Sequence, residues 1–198
     1  MKIKTKNGNS KMQNEQKLFF VTGNITKFNE AIQIIPELEM LSIELDEIQE
    51  LDPHKVIKHK LNEAIKHHDN NRHKDAIFLV EDTSYYLVGM NGLPGPLAKW
   101  FKKALGLEGI SKLTKVYGDQ AIARSIIGCY HKGKIQFFEG ELKGRIVFPR
   151  TGEGFGWDYI FVPYGETKTV SELGLQVKYK ISMRSKAFQK LKEYLKIK

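Results

Sequence analysis

The sequence predicts an α/β protein, and three observations carry that prediction. Short apolar runs bounded by turn residues recur along the chain. Segments with apolar residues at helical spacing stand between them. No interior Gly-, Pro- or Ser-rich linker separates one part of residues 18–198 from another, so a single domain is expected there. An apolar share of 41% over 198 residues suffices for an ordinary core. No window approaches the run of about 20 apolar residues that a membrane span requires.

In order along the chain, residues 1–17 are basic and polar, and they read as a disordered lead-in without the apolar stretch of a secretory signal. Residues 18–21 read as a buried strand. Phe28, Ala31, Ile32 and Ile35 then recur at helical spacing up to Pro36. A short strand is expected at 41–45, followed by the acidic turn LDEIQELDP. A helix is expected over 54–68, with Val56, Ile57, Leu61, Ala64 and Ile65 on its apolar face. The segment HHDNNRHKD reads as a solvated loop, because three histidines without a cysteine or fixed spacing do not define a metal site. Residues 76–80 (AIFLV) form a buried strand that ends in Glu81-Asp82-Thr83. The turn NGLPGP opens the helix AKWFKKAL. Strands are expected at 121–130 and 134–139, joined at residues 131–133, with 144–148 continuing the sheet. The loop PRTGEGFGWD leads to a strand at 159–162. The chain closes in a helix whose apolar face is Ala187, Phe188, Leu191 and Leu195.

The single cysteine, Cys129, excludes an intramolecular disulfide and fits a reducing, cytoplasmic setting. Within SIIGCY it reads as a small buried hydrophobe. The net charge of +9 divides unevenly: +4 on residues 1–17, +7 on residues 173–198, and therefore −2 on everything between. A nucleic-acid binder usually carries its basic surface on the folded body, so a smaller anion held by the C-terminal segment fits as well.

Four clusters carry chemistry. In TGNITK, Thr22, Gly23 and Asn24 leave a strand and Lys27 enters a helix. Such a turn offers backbone N–H groups, a close approach at glycine and a fixed cation to a phosphate. It is neither a Walker A loop nor GxGxxG, and a helix cap beside a surface lysine accounts for it equally. In VEDT, Glu81 and Asp82 diverge if the strand continues, which suits one acid on a metal and the other on a water; a solvated strand end is the alternative. Glu44, Asp46, Glu47 and Glu50 lie upstream, and such hard oxygens point to Mg²⁺ or Mn²⁺. In the glycine-rich FGWD loop, Phe155 and Trp157 offer rings to a base and Asp158 an acceptor, or the rings anchor the loop to the core. In KYKISMR, Lys178, Lys180 and Arg184 stand at or near the start of the last helix, as ligands or as a solvated basic face. Together the four describe a nucleoside phosphate pocket.

The motifs TGN-x-x-K, VEDT, GLPGP-x-x-KWF, FGWD and K-x-x-x-S-x-R stand in this order from Leu18 to Leu195. The chain thereby resembles the inosine triphosphate pyrophosphatase (Ham1-like) family. The resemblance implies an elongated mixed sheet flanked by helices, two lobes with a central substrate cleft, and a homodimer. It implies Mg²⁺-dependent hydrolysis of non-standard purine nucleoside triphosphates to the monophosphate and pyrophosphate, with Mn²⁺ as a substitute metal. Thr22, Asn24 and Lys27 match triphosphate-binding positions, Glu47 and Glu81 metal-associated acids, and Asp82 the acid that positions or deprotonates water. Lys99 matches a lysine near the phosphates. Phe155, Gly156, Trp157 and Asp158 match the base-pocket loop, and Lys178, Ser182 and Arg184 the C-terminal nucleotide contacts, with Thr83 beside them from VEDT. Two departures stand out: Met183 replaces the histidine of a Ser-His-Arg triplet, and Tyr179 replaces an asparagine. Methionine donates no comparable hydrogen bond, so discrimination at a 6-oxo purine is expected to fall by roughly 1–3 kcal/mol.

Overall fold

A computed structural model describes residues 17–67 and 75–197. The expectations for residues 1–16, and for most of the histidine-rich loop, lie outside the described residues. Among the described residues seven strands and six α-helices follow in the order β1 Leu18–Val21, α1 Ile25–Ala31, β2 Leu38–Leu41, α2 Pro53–His67, β3 Ile77–Leu87, β4 Pro94–Gly95, α3 Ala98–Tyr117, β5 Gln120–His131, β6 Lys134–Ile146, β7 Phe161–Pro163, α4 Val170–Leu173, α5 Leu175–Ile181 and α6 Met183–Leu195. The strands form one open mixed sheet in the order β2-β1-β3-β5-β6-β7, with β4 on β3. β2, β1 and β3 are parallel and the remaining pairs antiparallel. Among the described residues no helix is long and apolar enough to cross a membrane.

Alternation along the strands divides the core between the two faces of the sheet. On one face Phe20, Leu79, Ile127 and Cys129 pack with Ala31, Ile35 and the α6 residues Ala187, Phe188 and Leu191. Phe20 meets Phe188 edge to face, with ring centroids 5.4 Å apart. On the other face Phe19, Val21, Phe78, Val80 and Ile126 pack against Ile57, Leu61 and Ala64 of α2. A third cluster, at the far end of the long strands, joins Tyr85, Leu87, Ala123 and Phe161 to Ala98, Ile110 and Val170, with Met183 and Trp157. Cys129 is an interior apolar group whose thiol burial pushes up to about 12.

Several boundaries differ from the expected ones. β3 does not stop at Val80: it runs through Glu81-Asp82-Thr83 to Leu87, paired with β5 from Phe78↔Tyr130 to Leu87↔Ala121. The two carboxylates do not end the strand, because cations from other elements meet both of them. The expected strands at 134–139 and 144–148 are one strand, β6. Gly140 in its middle is no break: a Cβ there would lie 1.9 Å from the Met183 carbonyl oxygen, so glycine lets the start of α6 cross the sheet closely. β2 lies earlier than expected and β7 slightly later. α3 extends well past AKWFKKAL, with a non-helical break at Gly106 (φ 65°). α4 and α5 fill a stretch for which no element was expected; Thr169 and Glu172 form a capping box at α4.

β7 covers only the last residues of β6, at Gly144–Ile146. Further along that edge, carbonyls are met by side chains of α6. Lys186 Nζ donates to the Glu141 carbonyl at 2.9 Å and Lys190 Nζ to the Glu139 carbonyl at 2.7 Å. Four residues of helix rise about 6.0 Å and two residues of strand about 6.8 Å, so a lysine every turn keeps pace with every second carbonyl.

Candidate active site

The loop between β1 and α1 folds on its own polar side chains. Thr22 Oγ1 accepts from the Asn24 backbone N–H at 3.1 Å. Asn24 caps α1, its Oδ1 accepting from the N–H groups of Thr26 at 3.0 Å and Lys27 at 3.1 Å. Three N–H groups that the sequence offered to an anion are therefore already satisfied, and the loop's cation is the Lys27 ammonium. Gly23 has no atom within 4 Å of where a Cβ would lie, so its surface is open to a ligand.

Lys27 Nζ lies 2.7 Å from Oε2 of Glu81, whose side chain is fully buried. Glu81 Oε1 accepts from Ser125 Oγ at 2.6 Å, from Arg184 Nε at 3.2 Å and from Thr83 Oγ1. Burial alone would raise the Glu81 carboxyl; Arg184 and Lys27 outweigh it and hold the group well below the usual carboxylate range. The chain of charges continues inward. Arg184 Nη1 donates to Glu30 Oε2 at 2.6 Å and Nη2 to Thr83 Oγ1 at 2.8 Å. Ser182 caps α6 and its hydroxyl donates to Glu30 Oε1. Lys178 Nζ lies 3.9 Å from Glu30 and 2.6 Å from Asp158 Oδ2. Cations and anions thus alternate from Lys27 to Asp158, and Arg184 and Lys178 are only 1% and 2% exposed, which removes both from any basic surface.

Asp82 points to the opposite face of β3, as strand alternation requires. Its Oδ1 accepts from Lys60 Nζ at 2.8 Å. The same ammonium lies 3.0 Å from Glu47 Oε1, and Glu47 Oε2 lies 2.6 Å from Lys99 Nζ. Burial pushes the Glu47 carboxyl up, but the charges of Lys60 and Lys99 bring it down to about 2. In FGWD, Asp158 Oδ2 also accepts from the Phe155 N–H at 2.9 Å, and Gly156 takes φ 66° to close the turn. Lys178 Nζ stands 4.2 Å from the Phe155 ring centroid. Trp157 packs its indole against Tyr85 and Phe161, with centroids 5.7 and 5.5 Å away.

These groups meet at a cavity of about 650 Å³. Asn24, Lys27, Glu47, Asp82, Thr83 and Lys99 border it together with the residues of FGWD, Lys178, Met183 and Arg184. A second cavity of about 410 Å³ holds Thr22, Gly23 and Glu81 and shares Glu47 and Lys99. Ser182 stands behind the main cavity, in a small recess with Met183 and Lys178. The structure therefore brings the residues matched to the family motifs to one place, whereas of the other candidates only Glu44 borders the second cavity: Asp46, Glu50 and Lys180 border none of these three, Glu50 pairing with Lys55 instead. Three contributors were missed in the sequence: Glu30, Lys60 and Ser125. Lys60 was detectable as a lysine within the apolar stripe of α2, between Ile57 and Leu61; Glu30 stands next to the apolar Ala31 of α1; Ser125 carries no signal.

Fold and site define a class, an open-sheet α/β protein with a charged cleft of small-molecule size. The Ham1 family profile matches residues 18–194, and the chain belongs to that family. It is 35% identical over 187 residues to the dITP/XTP pyrophosphatase of Methanopyrus kandleri, covering 91% of this chain and 96% of that one. It is also 35% identical over 188 residues to the inosine triphosphate pyrophosphatase of Candida glabrata, covering 89% and 95%. Among solved structures, a HAM1 protein from Coxiella burnetii superposes with a TM-score of 0.71 at 21% identity, over 91% of this chain and 98% of that one; the Ham1 protein of Staphylococcus aureus gives 0.70 at 20%, over the same shares.

Proposed function

We propose that this chain is a nucleoside triphosphate pyrophosphatase that converts ITP, dITP and XTP with water to the monophosphate and pyrophosphate, clearing them from the cytoplasmic nucleotide pool. The observation that carries the reading is the placement of Asp82. It projects from the middle of a rigid strand into a cleft bordered by Lys27 and Lys99, with Lys60 and Glu47 around it. In this reading Asp82 accepts a proton as the water oxygen attacks the α-phosphorus. The bond from that phosphorus to the α–β bridging oxygen breaks, and pyrophosphate leaves with the electron pair while Lys27 and Lys99 balance its charge.

Among the described residues no three His, Cys, Asp or Glu side chains group as a metal site. Glu47 and Asp82 nevertheless aim carboxylate oxygens at one cation, the Lys60 ammonium, and such a pair suits Mg²⁺ or Mn²⁺, whose other ligands are waters and phosphate oxygens. A bound divalent ion supplies neutralisation of phosphate charge. Glu81 fits this role less well, since Arg184, Lys27, Ser125 and Thr83 already engage its carboxylate; it anchors the phosphate-side cations.

The base lies at the FGWD end, against the Phe155 ring that Lys178 backs. Met183 borders that end and brings no donor, which favours a base preference broader than 6-oxo purines unless another group serves the base edge. The domain over 18–198 functions as a homodimer in this reading. It assigns no nucleic-acid partner, since Lys178 and Arg184 are interior.

The test is pyrophosphate release with Mg²⁺ from ITP, dITP and XTP beside the standard triphosphates, for the parent and for Asp82→Asn. Release from the deaminated purines that drops about 10²–10⁴-fold in the variant supports the reading. Preference for another nucleotide moves the substrate but keeps the chemistry. No release from any triphosphate refutes the assignment.

A further inference from the structure

Among the described residues, the buried side-chain polar atoms without a hydrogen-bond partner are His59 Nε2, Glu81 Oε2 and the Tyr85 hydroxyl. Glu81 Oε2 has the Lys27 charge 2.7 Å away. Tyr85 is 0% exposed and has nothing comparable. Buried tyrosines normally bring their hydroxyl to a partner, and phenylalanine would serve for packing alone. The fold therefore does not account for this oxygen.

Its position does. Glu81, Thr83 and Tyr85 project from one face of β3, and Thr83 borders the cleft, so Tyr85 stands one pleat further along, about 6.8 Å away. Its ring lies 5.7 Å from that of Trp157, and it packs in the same cluster as Ala98, Met183 and Trp157, all of which border the cleft. Tyr85 is thus in the layer behind the cleft's apolar end. Of the three wall residues, alanine and methionine have no hydrogen-bond donor, and the indole has one N–H and no acceptor. A phenol both donates and accepts.

We propose that the Tyr85 hydroxyl hydrogen-bonds the 6-substituent of a bound purine, an inference that rests on the nucleotide reading above. The unbranched side chain of Met183 is suited to giving way as the base edge reaches the hydroxyl. The phenol donates to a 6-oxo group and thereby supplies the donor that Met183 lacks. Because it can also accept from a 6-amino group, it holds the edge in place rather than rejecting adenine. What it discriminates against is a purine with no 6-substituent.

The test removes one atom from each side: Tyr85→Phe on the protein, and purine riboside in place of inosine on the ligand. Binding of the two monophosphates, IMP and purine riboside monophosphate, is measured by calorimetry, with ITP turnover and the unfolding midpoint of both proteins alongside. The parent is expected to prefer IMP on the order of tenfold and Tyr85→Phe to bind the two equally, through a loss confined to IMP. The variant should unfold no earlier than the parent, since its hydroxyl has no partner in the free protein. An unchanged preference for IMP in Tyr85→Phe overturns the role of Tyr85, whether or not ITP is hydrolysed. A parent that neither hydrolyses ITP nor binds IMP removes the nucleotide reading and this role with it.

Discussion

Glu30 offers the sharpest test of how the interior is built. Its side chain has no exposure, and it receives Arg184 Nη1 at 2.6 Å, the Ser182 hydroxyl, and the Lys178 charge at 3.9 Å. Glu30→Gln keeps the volume, so no cavity opens, but the amide turns N–H groups toward donors and the buried network is left with one uncompensated positive charge. Breaking a buried pair from one side costs about 3–5 kcal/mol. For a chain of this size each kcal/mol shifts the unfolding midpoint by about 2–4 °C, so a drop of roughly 6–20 °C is expected. Glu39→Gln is the control: Glu39 pairs with Lys17 at 3.1 Å, both side chains are nearly half exposed, and such pairs contribute about 0–1 kcal/mol. Thermal and urea unfolding of both variants, with Arg184→Met and the double variant, completes a cycle in which the pair should couple by up to about 3 kcal/mol. A Glu30→Gln midpoint within about 2 °C of the parent, or strict additivity in the cycle, would refute the view that this network holds α1, β3 and α6 together.

Two further predictions follow from geometry. Gly140→Ala puts a Cβ 1.9 Å from the Met183 carbonyl oxygen and 2.7 Å from the Ala187 nitrogen, backbone atoms that cannot step aside. It should destabilise by about 1–3 kcal/mol and weaken monophosphate binding, because Ser182 to Arg184 move with the helix start; an unchanged urea midpoint contradicts this. Acid should expose the Glu47 pairs. Folding lowers the Glu47 carboxyl from its ordinary 4.5 to about 2, so between those pH values the unfolded chain binds more protons. The contribution is fully present above about pH 4.5 and disappears as pH falls toward 2. Glu47→Gln should flatten that part of the stability profile, and a steeper acid loss in the variant would count against the pairing.

The motif residues were legible in the sequence because their chemistry is local. Thr22, Asn24 and Lys27 sit within one turn, and their bonds span two or three positions. The course of β3 was not, because two adjacent acids look like the end of a buried strand until their cations are known. Those cations are remote: Lys60 lies 22 positions from Asp82, and Arg184 lies 103 from Glu81 and 154 from Glu30. Glu30 itself reads as an ordinary helix glutamate, and only tertiary pairing makes it an interior charge. In the C-terminal basic cluster the solvated-face alternative fails for Lys178 and Arg184, which are buried and border the cleft. In FGWD, Trp157 packs into the core and borders the cleft as well.

The lysines along β6 carry a lesson about where a sheet stops. A backbone edge with free carbonyls recruits whatever extended chain comes near, and a strand that docks there presents a fresh edge in turn. A lysine ammonium answers the carbonyl but has no acceptor to pass on, so the ladder terminates at Lys186 and Lys190. Part of the charge that makes this chain so basic is therefore a boundary marker, keeping one molecule's sheet from becoming the template for the next.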